Sequence, residues 1–340
     1  MRFSAMGDVV MTVPVVAALA RKYPSLHITV LTRERLTPFF CSMPANVEVM
    51  GIDLNAYKGI LGLERLFRQL RSRRFDAVAD LHDVLRTKFL RTRFRISGTP
   101  VASIDKGRAQ KHALIGHGMT AEALTPVIQR YASVFSKLGI ELTPEDCQGD
   151  VFVPSAETDA LVQNAFGNKP GDSQWIGVAP FAAHEGKIYP LAAMRQVVEQ
   201  LSGAGCRIFL FGGGAKEMEV LHQWAADIPA AEVAGDKIRG LQAEMHLMAR
   251  LDAMLAMDSA NMHIAALVGT RVVSIWGATH PKAGFAPWRQ QQADILQVAD
   301  LPCRPCSIYG NKPCHLGDRP CMARITPTQV VNTILNTNPQ

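Results

Sequence analysis

The sequence predicts an α/β protein made of two successive three-layer α/β/α domains facing each other across a cleft, each built on a parallel sheet. Three observations lead there. Short β-rich runs alternate with longer helical patterns, the signature of βα units. The alternation occurs twice, on either side of a stretch punctuated by Pro154, Gly167, Pro170 and Gly171. A chain of 340 residues is also too long for one ordinary core and suits two of roughly 150. The expected boundaries are 1–155 for the first domain and 170–322 for the second, with 323–340 as a helix packing back toward the first.

Taken in order, the first half offers strands at His27–Leu31, Val47–Ile52, Ala77–Leu81 and Val101–Ile104. Helical periodicity covers Val9–Lys22, Gly62–Arg73, Val84–Phe94 and Ala123–Leu138. After a helix at Glu157–Phe166, the second half offers strands at Trp175–Ala179, Arg207–Phe211, Ala231–Val233, Ala253–Ala256 and Val272–Trp276. Helices are expected at Leu191–Ala204, Lys216–Ala226, Leu241–Arg250 and Ser259–Leu267. Thr326-Pro327 sets the start of a last helix to Leu335, with a cap and a first-turn proline. A βα unit that opens with Ser4-Ala5-Met6-Gly7-Asp8 needs a full strand before it, yet only Met1–Phe3 precede it. Either the first strand is unusually short or the natural chain begins several residues earlier, and the second is the expectation.

Composition narrows the class. Hydrophobic residues make up 48% and charged residues 19%, which suits a filled globule. Apolar runs such as Val9–Val16 are too short to span a bilayer, and no secretory signal is visible, so a cytoplasmic protein is expected. The charge is lopsided. Residues 1–150 hold 21 Lys+Arg against 14 Asp+Glu, and the remainder 15 against 16. A basic half attracts polyanions or simply solvates helix faces. Within it, Lys106, Arg108 and Lys111 follow the loop-like Ser103–Gly107 and are candidates for an anionic acceptor. Nucleic acid is not expected, because no aromatic stacking motif accompanies the charge.

The chemistry-bearing motifs fall where strands end. Gly7-Asp8 opens a helix, and Asp8 reads either as a helix cap or as a carboxylate able to take a proton. Gly212-Gly213-Gly214 follows an apolar strand, and Glu217 just beyond could bind ribose hydroxyls. The glycines equally make a plain strand-to-helix turn, and no complete dinucleotide fingerprint is present, which disfavours an oxidoreductase. Ala182, Ala183 and Lys187 follow the strand Trp175–Ala179, where a lysine can neutralise a pyrophosphate or merely face water. Asp258-Ser259-Ala260 ends another strand, with His263 one helical turn on and Thr279 closing the next strand. In a parallel sheet these loops share one carboxyl edge, the edge where ligands bind. Finally, Cys303, Cys306, Cys314 and Cys321 fall within 19 residues, which reads as structural zinc, reduced thiols or disulfides.

The ordered set of Arg2–Asp8, the Lys187 loop, Asp258–His263 and Trp276–Pro281 resembles the heptosyltransferases of glycosyltransferase family 9, over nearly the whole chain. The cysteine cluster also looks like one found in many members. The resemblance implies a GT-B fold with two Rossmann-like domains and an inverting transfer, needing no catalytic metal, from ADP-heptose to an anionic lipopolysaccharide-core acceptor. By that likeness Asp8 would be the base. Ala182, Ala183, Lys187, Gly213, Glu217, Asp258, Ser259, Ala260, His263 and Thr279 would line the donor site. Lys106, Arg108 and Lys111 would meet the acceptor, with peripheral contact at the cytoplasmic face of the inner membrane. The sequence departs from many members at Ala260, Ala182 and Ala183, where glycine or hydroxyl residues are usual. A family member using another nucleotide sugar, or a nucleotide-sugar binder without turnover, are the competing readings. A mere binder would have no use for both Asp8 and Lys187.

Overall fold

The structure is a computed structural model that describes residues 1–117 and 122–335. It separates into two compact units, residues 1–108 with 125–151, and residues 109–124 with 152–340. The boundary near residue 152 lies close to the expected one. The exception is the short segment 109–124, which groups with the second unit although the sequence reading gave it to the first.

The first unit opens with helices α1 (Met6–Val10) and α2 (Val13–Lys22), one expected helix broken at Met11-Thr12. Thr12 accounts for the break, since its hydroxyl donates to the Val9 carbonyl at 2.7 Å and competes with the helical ladder. Then come β1 (Ile28–Arg33), β2 (Val47–Ile52), α3 (Gly59–Arg71), β3 (Val78–Asp80), α4 (Leu85–Ile96) and β4 (Val101–Ser103). Helix α5 (Arg108–His117), which periodicity did not reveal, comes next in the chain but falls in the second unit except for Arg108, and α6 (Val127–Ser136) belongs to the first. β1 pairs with β2 and β3 with β4, all parallel. Met1–Phe3 lies between the two pairs. The Arg2 amide donates to Leu31 at 3.1 Å, the Leu81 amide to Met1 at 3.1 Å, and the Met1 amine to Ala79 at 2.8 Å. The resulting order is β2, β1, Met1–Phe3, β3, β4. Phe3 is fully buried among Leu31, Leu66, Phe67 and Leu90, which fixes the segment despite its brevity. A cavity of about 830 Å³ lies beside Met1, lined by Ile28, Val30, Leu70, Ala77 and Phe135.

The second unit continues with α7 (Ala156–Phe166), β5 (Trp175–Ala179), α8 (Leu191–Gly203), β6 (Arg207–Leu210), α9 (Ala215–Asp227), β7 (Ala231–Val233), α10 (Ala234–Lys237) and α11 (Leu241–Met248). It closes with β8 (Ala253–Met257), α12 (Ala260–Leu267), β9 (Arg271–Trp276), β10 (Ile295–Gln297), α13 (Pro320–Ala323) and α14 (Pro327–Leu335). Six parallel strands form one sheet in the order β10-β9-β8-β5-β6-β7. β5 and β8 are buried at every residue, as the centre of a doubly covered sheet requires.

Helix α14 corrects an expectation. Its buried face, Val330, Val331 and Ile334, belongs to the second unit's own core, against α8. Arg271 fastens its end, donating to the carbonyls of Thr333 at 2.7 Å and Ile334 at 3.0 Å while pairing with Asp294 at 2.6 Å. The last residues, 336–340, lie outside the described residues. Ile334→Ala is expected to cost about 2–4 kcal/mol in urea unfolding. The exposed Thr328→Ala should stay within about 0.5 kcal/mol. Equal effects from the two would contradict this placement.

Candidate active site

Strand order fixes where each unit can bind a ligand. In the second sheet the chain runs outward from β5 through β6 to β7, then returns to the other side of β5 for β8, β9 and β10. The loops after β5 and β8 therefore diverge, leaving a crevice at the carboxyl ends of two adjacent strands. This is the topological switch point at which doubly wound sheets bind nucleotides. The Lys187 loop follows β5 and Asp258 follows β8. Their side chains meet there, Nζ to Oδ2 at 2.8 Å, with both largely buried.

Several features hold that pair. The Lys187 amide donates to His184 at 3.0 Å, closing a single tight turn. The Lys187 stem crosses Gly310 so closely that a Cβ there would stand 2.6 Å from Cγ, and Gly310 also has a positive φ of 74°. The Ala278 amide donates to Gly186 at 3.1 Å, joining the loops after β5 and β9. Beside the pair, the hydroxyls of Ser259 and Thr279 are buried without a hydrogen-bond partner among the described residues. A buried hydroxyl left unpaired costs free energy unless a ligand satisfies it. Ala260 begins α12, whose N-terminus favours an anion in the same place, and His263 lies buried one turn in.

The glycine turn lies one strand further along. Glu217 folds back so that its Oε2 accepts from the Gly213 amide at 2.8 Å, and Gly214 has a positive φ of 86°. A Cβ at Gly213 would meet nothing within 4 Å, so this backbone stays open to an approaching group. Ala182 is half-buried and Ala183 exposed on the β5 loop. The expected donor-side residues thus all lie on neighbouring strand ends of one sheet.

Arg304 is the residue that sequence reasoning missed. Fully buried, it donates to the carbonyls of Gly277 at 2.6 Å and of Trp276 and Thr279 at 3.1 Å, and to Val298. It thereby clamps the loop that carries Thr279. No carboxylate pairs with it among the described residues, and burial pulls its basicity down. The ionisable groups that act on its charge are the thiols of Cys321, Cys303 and Cys306. Among the described residues no three His, Cys, Asp or Glu groups are placed to hold a metal ion. A buried guanidinium stands among the thiols, and burial pushes the Cys321 thiol up to about 11.

The first unit has its own switch point, between Met1–Phe3 and β3. Asp8 occupies the loop at that point. Both readings of Asp8 coexist: Oδ2 accepts from the Ala5 amide at 3.1 Å, capping α1, while remaining partly exposed. Arg2 pairs with the same oxygen at 2.5 Å and also donates to the Leu81 carbonyl at 2.7 Å. The buried Tyr131 hydroxyl donates to the Asp8 carbonyl at 3.3 Å. Across the switch point lies His82, a second residue that went unread. Its Nδ1 accepts from the Phe3 amide at 3.5 Å, which leaves the proton on Nε2, 3.2 Å from the Ser4 hydroxyl. Burial, then the nearby Arg2 and Lys106, push its pKa down to about 3. A His-Asp pair directly after a predicted strand was the available signal.

The three basic residues expected to act together do not gather. Lys106 donates to the Asp83 carbonyl at 2.8 Å, and Arg108 lies 3.5 Å from the Asp83 carboxylate. Lys111 belongs to the second unit, over the rings of Phe285 at 4.8 Å and Tyr309 at 5.4 Å.

With this geometry in hand, comparison with known proteins decides the family. The model of glycosyltransferase family 9 (heptosyltransferase) matches residues 63–314. The chain belongs to glycosyltransferase family 9. It is 24% identical to lipopolysaccharide heptosyltransferase 1 of Pseudomonas aeruginosa over 315 residues, covering 89% of this chain and 84% of that protein. Lipopolysaccharide heptosyltransferase 3 of Escherichia coli K12 is 26% identical over 313 residues, covering 86% and 84%. Among solved structures, the family 9 transferase of Veillonella parvula superposes with a TM-score of 0.75 at 18% identity, covering 98% and 96%. The E. coli ADP-heptose LPS heptosyltransferase II gives 0.69 at 20% identity, covering 98% and 97%. The fold is GT-B, and this family 9 protein is a glycosyltransferase.

Buried neutral histidines make stability depend on acid. His82 at about 3 and His280 at about 4 bind protons less readily when folded than the ordinary 6.5 of an unfolded chain. Unfolding therefore takes up protons below pH 6.5, and stability falls as pH drops from there toward 4. Melting temperature should decline over that window, and His82→Gln should flatten the decline. An unchanged profile in the variant would show that His82 is not buried neutral.

Proposed function

We propose that this glycosyltransferase moves heptose from ADP-heptose to an anionic acceptor of the lipopolysaccharide-core type, inverting the anomeric carbon without a catalytic metal. The Lys187–Asp258 ion pair at the second switch point, beside the unpartnered hydroxyls of Ser259 and Thr279, carries this reading. A nucleoside diphosphate would satisfy those hydroxyls and the α12 N-terminus together. Its developing negative charge in the transition state would draw on Lys187. Glu217 and Gly213 would take the ribose side, with His263, Ala260, Ala182 and Ala183 shaping the site.

On the acceptor side, Asp8 would accept the proton of the attacking hydroxyl. The oxygen then bonds to the anomeric carbon as the bond to ADP breaks, and a single displacement inverts the centre. Arg2 and the Ala5 amide hold the Asp8 carboxylate in place, while His82 steadies the loop through Ser4 and Phe3. Lys106 and Arg108 would attract the anionic acceptor, Lys111 contributing from its own unit. The reading sets the protein in the cytoplasm, in peripheral contact with the inner membrane that presents such an acceptor. The names of its relatives support the donor and acceptor classes.

Asp8→Asn keeps the size and much of the capping ability but removes the basic oxygen. It should lower kcat by roughly 10²–10⁴ with the KM for ADP-heptose little changed. Wild-type turnover should survive EDTA, and NMR of the product should show the inverted anomer. Full activity in a folded Asp8→Asn variant would leave Asp8 as a cap alone.

A further inference from the structure

Two of the most exposed apolar side chains in the chain stand next to each other at the start of α3. Ile60 is 73% exposed and Leu61 86%. A third, Leu85 at 86%, begins α4. Both helices start at the carboxyl edge of the first sheet, the edge that also carries the Asp8 loop. They run side by side, with Phe67 against Phe94 at 5.2 Å and Glu64 bonded to Arg93 at 2.9 Å. The apolar residues therefore all stand at the starting ends of two neighbouring helices. Scattered single apolar residues need no explanation, but a grouped set at a functional edge does.

The end is also held firmly. Gly62 packs so tightly on Tyr57 that a Cβ would lie 2.5 Å from its carbonyl carbon. Arg65 reaches back to the Ala56 carbonyl, and the Tyr57 hydroxyl donates to Gln69 at 2.8 Å. These bonds brace the turn from which Ile60 and Leu61 project. At the start of α4, the Val84 amide and the Thr87 hydroxyl bond at 3.0 Å. The charge on the two helices is mostly positive, although Glu64 pairs with Arg68 and Arg93, Asp83 with Lys88 and Arg91, and Asp80 with Arg91. α3 and α4 carry Arg65, Arg68 and Arg71, then Arg86, Lys88, Arg91, Arg93 and Arg95, against Glu64 alone. Arg86, beside Leu85, has no ion-pair partner among the described residues, and neither have Arg71 and Arg95 at the far ends of the two helices. A water-exposed apolar tip on a cationic support matches the interface of an anionic bilayer, whose headgroups attract the charge while its acyl boundary takes the side chains.

We propose that Ile60, Leu61 and Leu85, on the basic pair α3 and α4, form a docking tip for an anionic membrane surface, setting the acceptor edge of the first unit against the bilayer. The proposal deepens the lipid-acceptor reading, on which its purpose rests, but its test involves no sugar.

The full chain is sedimented with vesicles of phosphatidylcholine alone and of phosphatidylcholine with a quarter phosphatidylglycerol. Wild type should pellet with the anionic vesicles only, and less as salt rises from about 0.1 to about 0.5 M. The triple variant Ile60→Ser, Leu61→Ser, Leu85→Ser should bind at least about tenfold more weakly, because the apolar contribution is lost. Ile96→Ser, an exposed apolar residue at the far end of α4, should bind as wild type does. Melting curves and turnover on a soluble, delipidated acceptor should be unchanged in the triple variant. Equal binding to neutral vesicles, or undiminished binding by a folded triple variant, would overturn the proposal. So would a wild-type dimer that the triple variant dissolves, since the tip would then join two copies. Loss of vesicle binding with catalysis intact leaves the transfer reaction standing, whereas failure of catalysis alone leaves the tip standing.

Discussion

The chain's second half is organised around one electrostatic constraint, the buried pairing of Lys187 with Asp258 at 2.8 Å. Neither charge could stand there alone, since an unpaired buried ion costs several kcal/mol. The pair can exist only because β5 and β8 are neighbours although four helices and two strands separate them in sequence. The long crossover that makes them neighbours also creates the crevice. Gly310 must lack a side chain for the Lys187 stem to pass, and Gly186 must lack one because Gly310 and Ala278 crowd it. The cysteine-containing loop is thus a support for the charged loop, with Arg304 as its internal tie.

The first unit repeats the principle with different chemistry. Its switch point falls beside a central segment only three residues long, and Arg2 within that segment reaches both the Asp8 carboxylate and the Leu81 carbonyl. Positive charge therefore faces a carboxylate at both switch points. In the first the carboxylate is partly exposed and open to a hydroxyl, while in the second it is closed in by lysine. The proposed division into a base in one unit and an anion site in the other rests on that difference.

Much of this was legible in the chain. Val47–Ile52, Trp175–Ala179 and Ala231–Val233 are strands over the expected residues because their apolar runs are bounded by turn formers. Asp8, Lys187, Glu217 and Asp258 were candidates because they follow expected strand ends, and the structure places the last three after β5, β6 and β8 and Asp8 after the Met1–Phe3 segment. Other features were not. α5 has weak amphipathic periodicity, and β10 is only three residues long. Arg304 looks like a surface cation in sequence, since only the tertiary fold brings four carbonyls around it. The spacing of the four cysteines left zinc, reduced thiols and disulfides open, because spacing does not record where thiols point. Lys111 looked like part of one basic run, but α5 carries it to aromatic partners in the second unit.

The central claim is that the second switch point, through Lys187, holds the diphosphate of a nucleotide sugar. Titration calorimetry of ADP-heptose against wild type, Lys187→Ala and Asp8→Asn tests it most directly. The account predicts that Lys187→Ala, shown by its melting curve to be folded, binds at least about tenfold more weakly, as expected for loss of a charge-assisted contact. Asp8→Asn should bind within about twofold of wild type, because the base acts only on the acceptor. Undiminished ADP-heptose binding by the folded Lys187→Ala variant would contradict the claim.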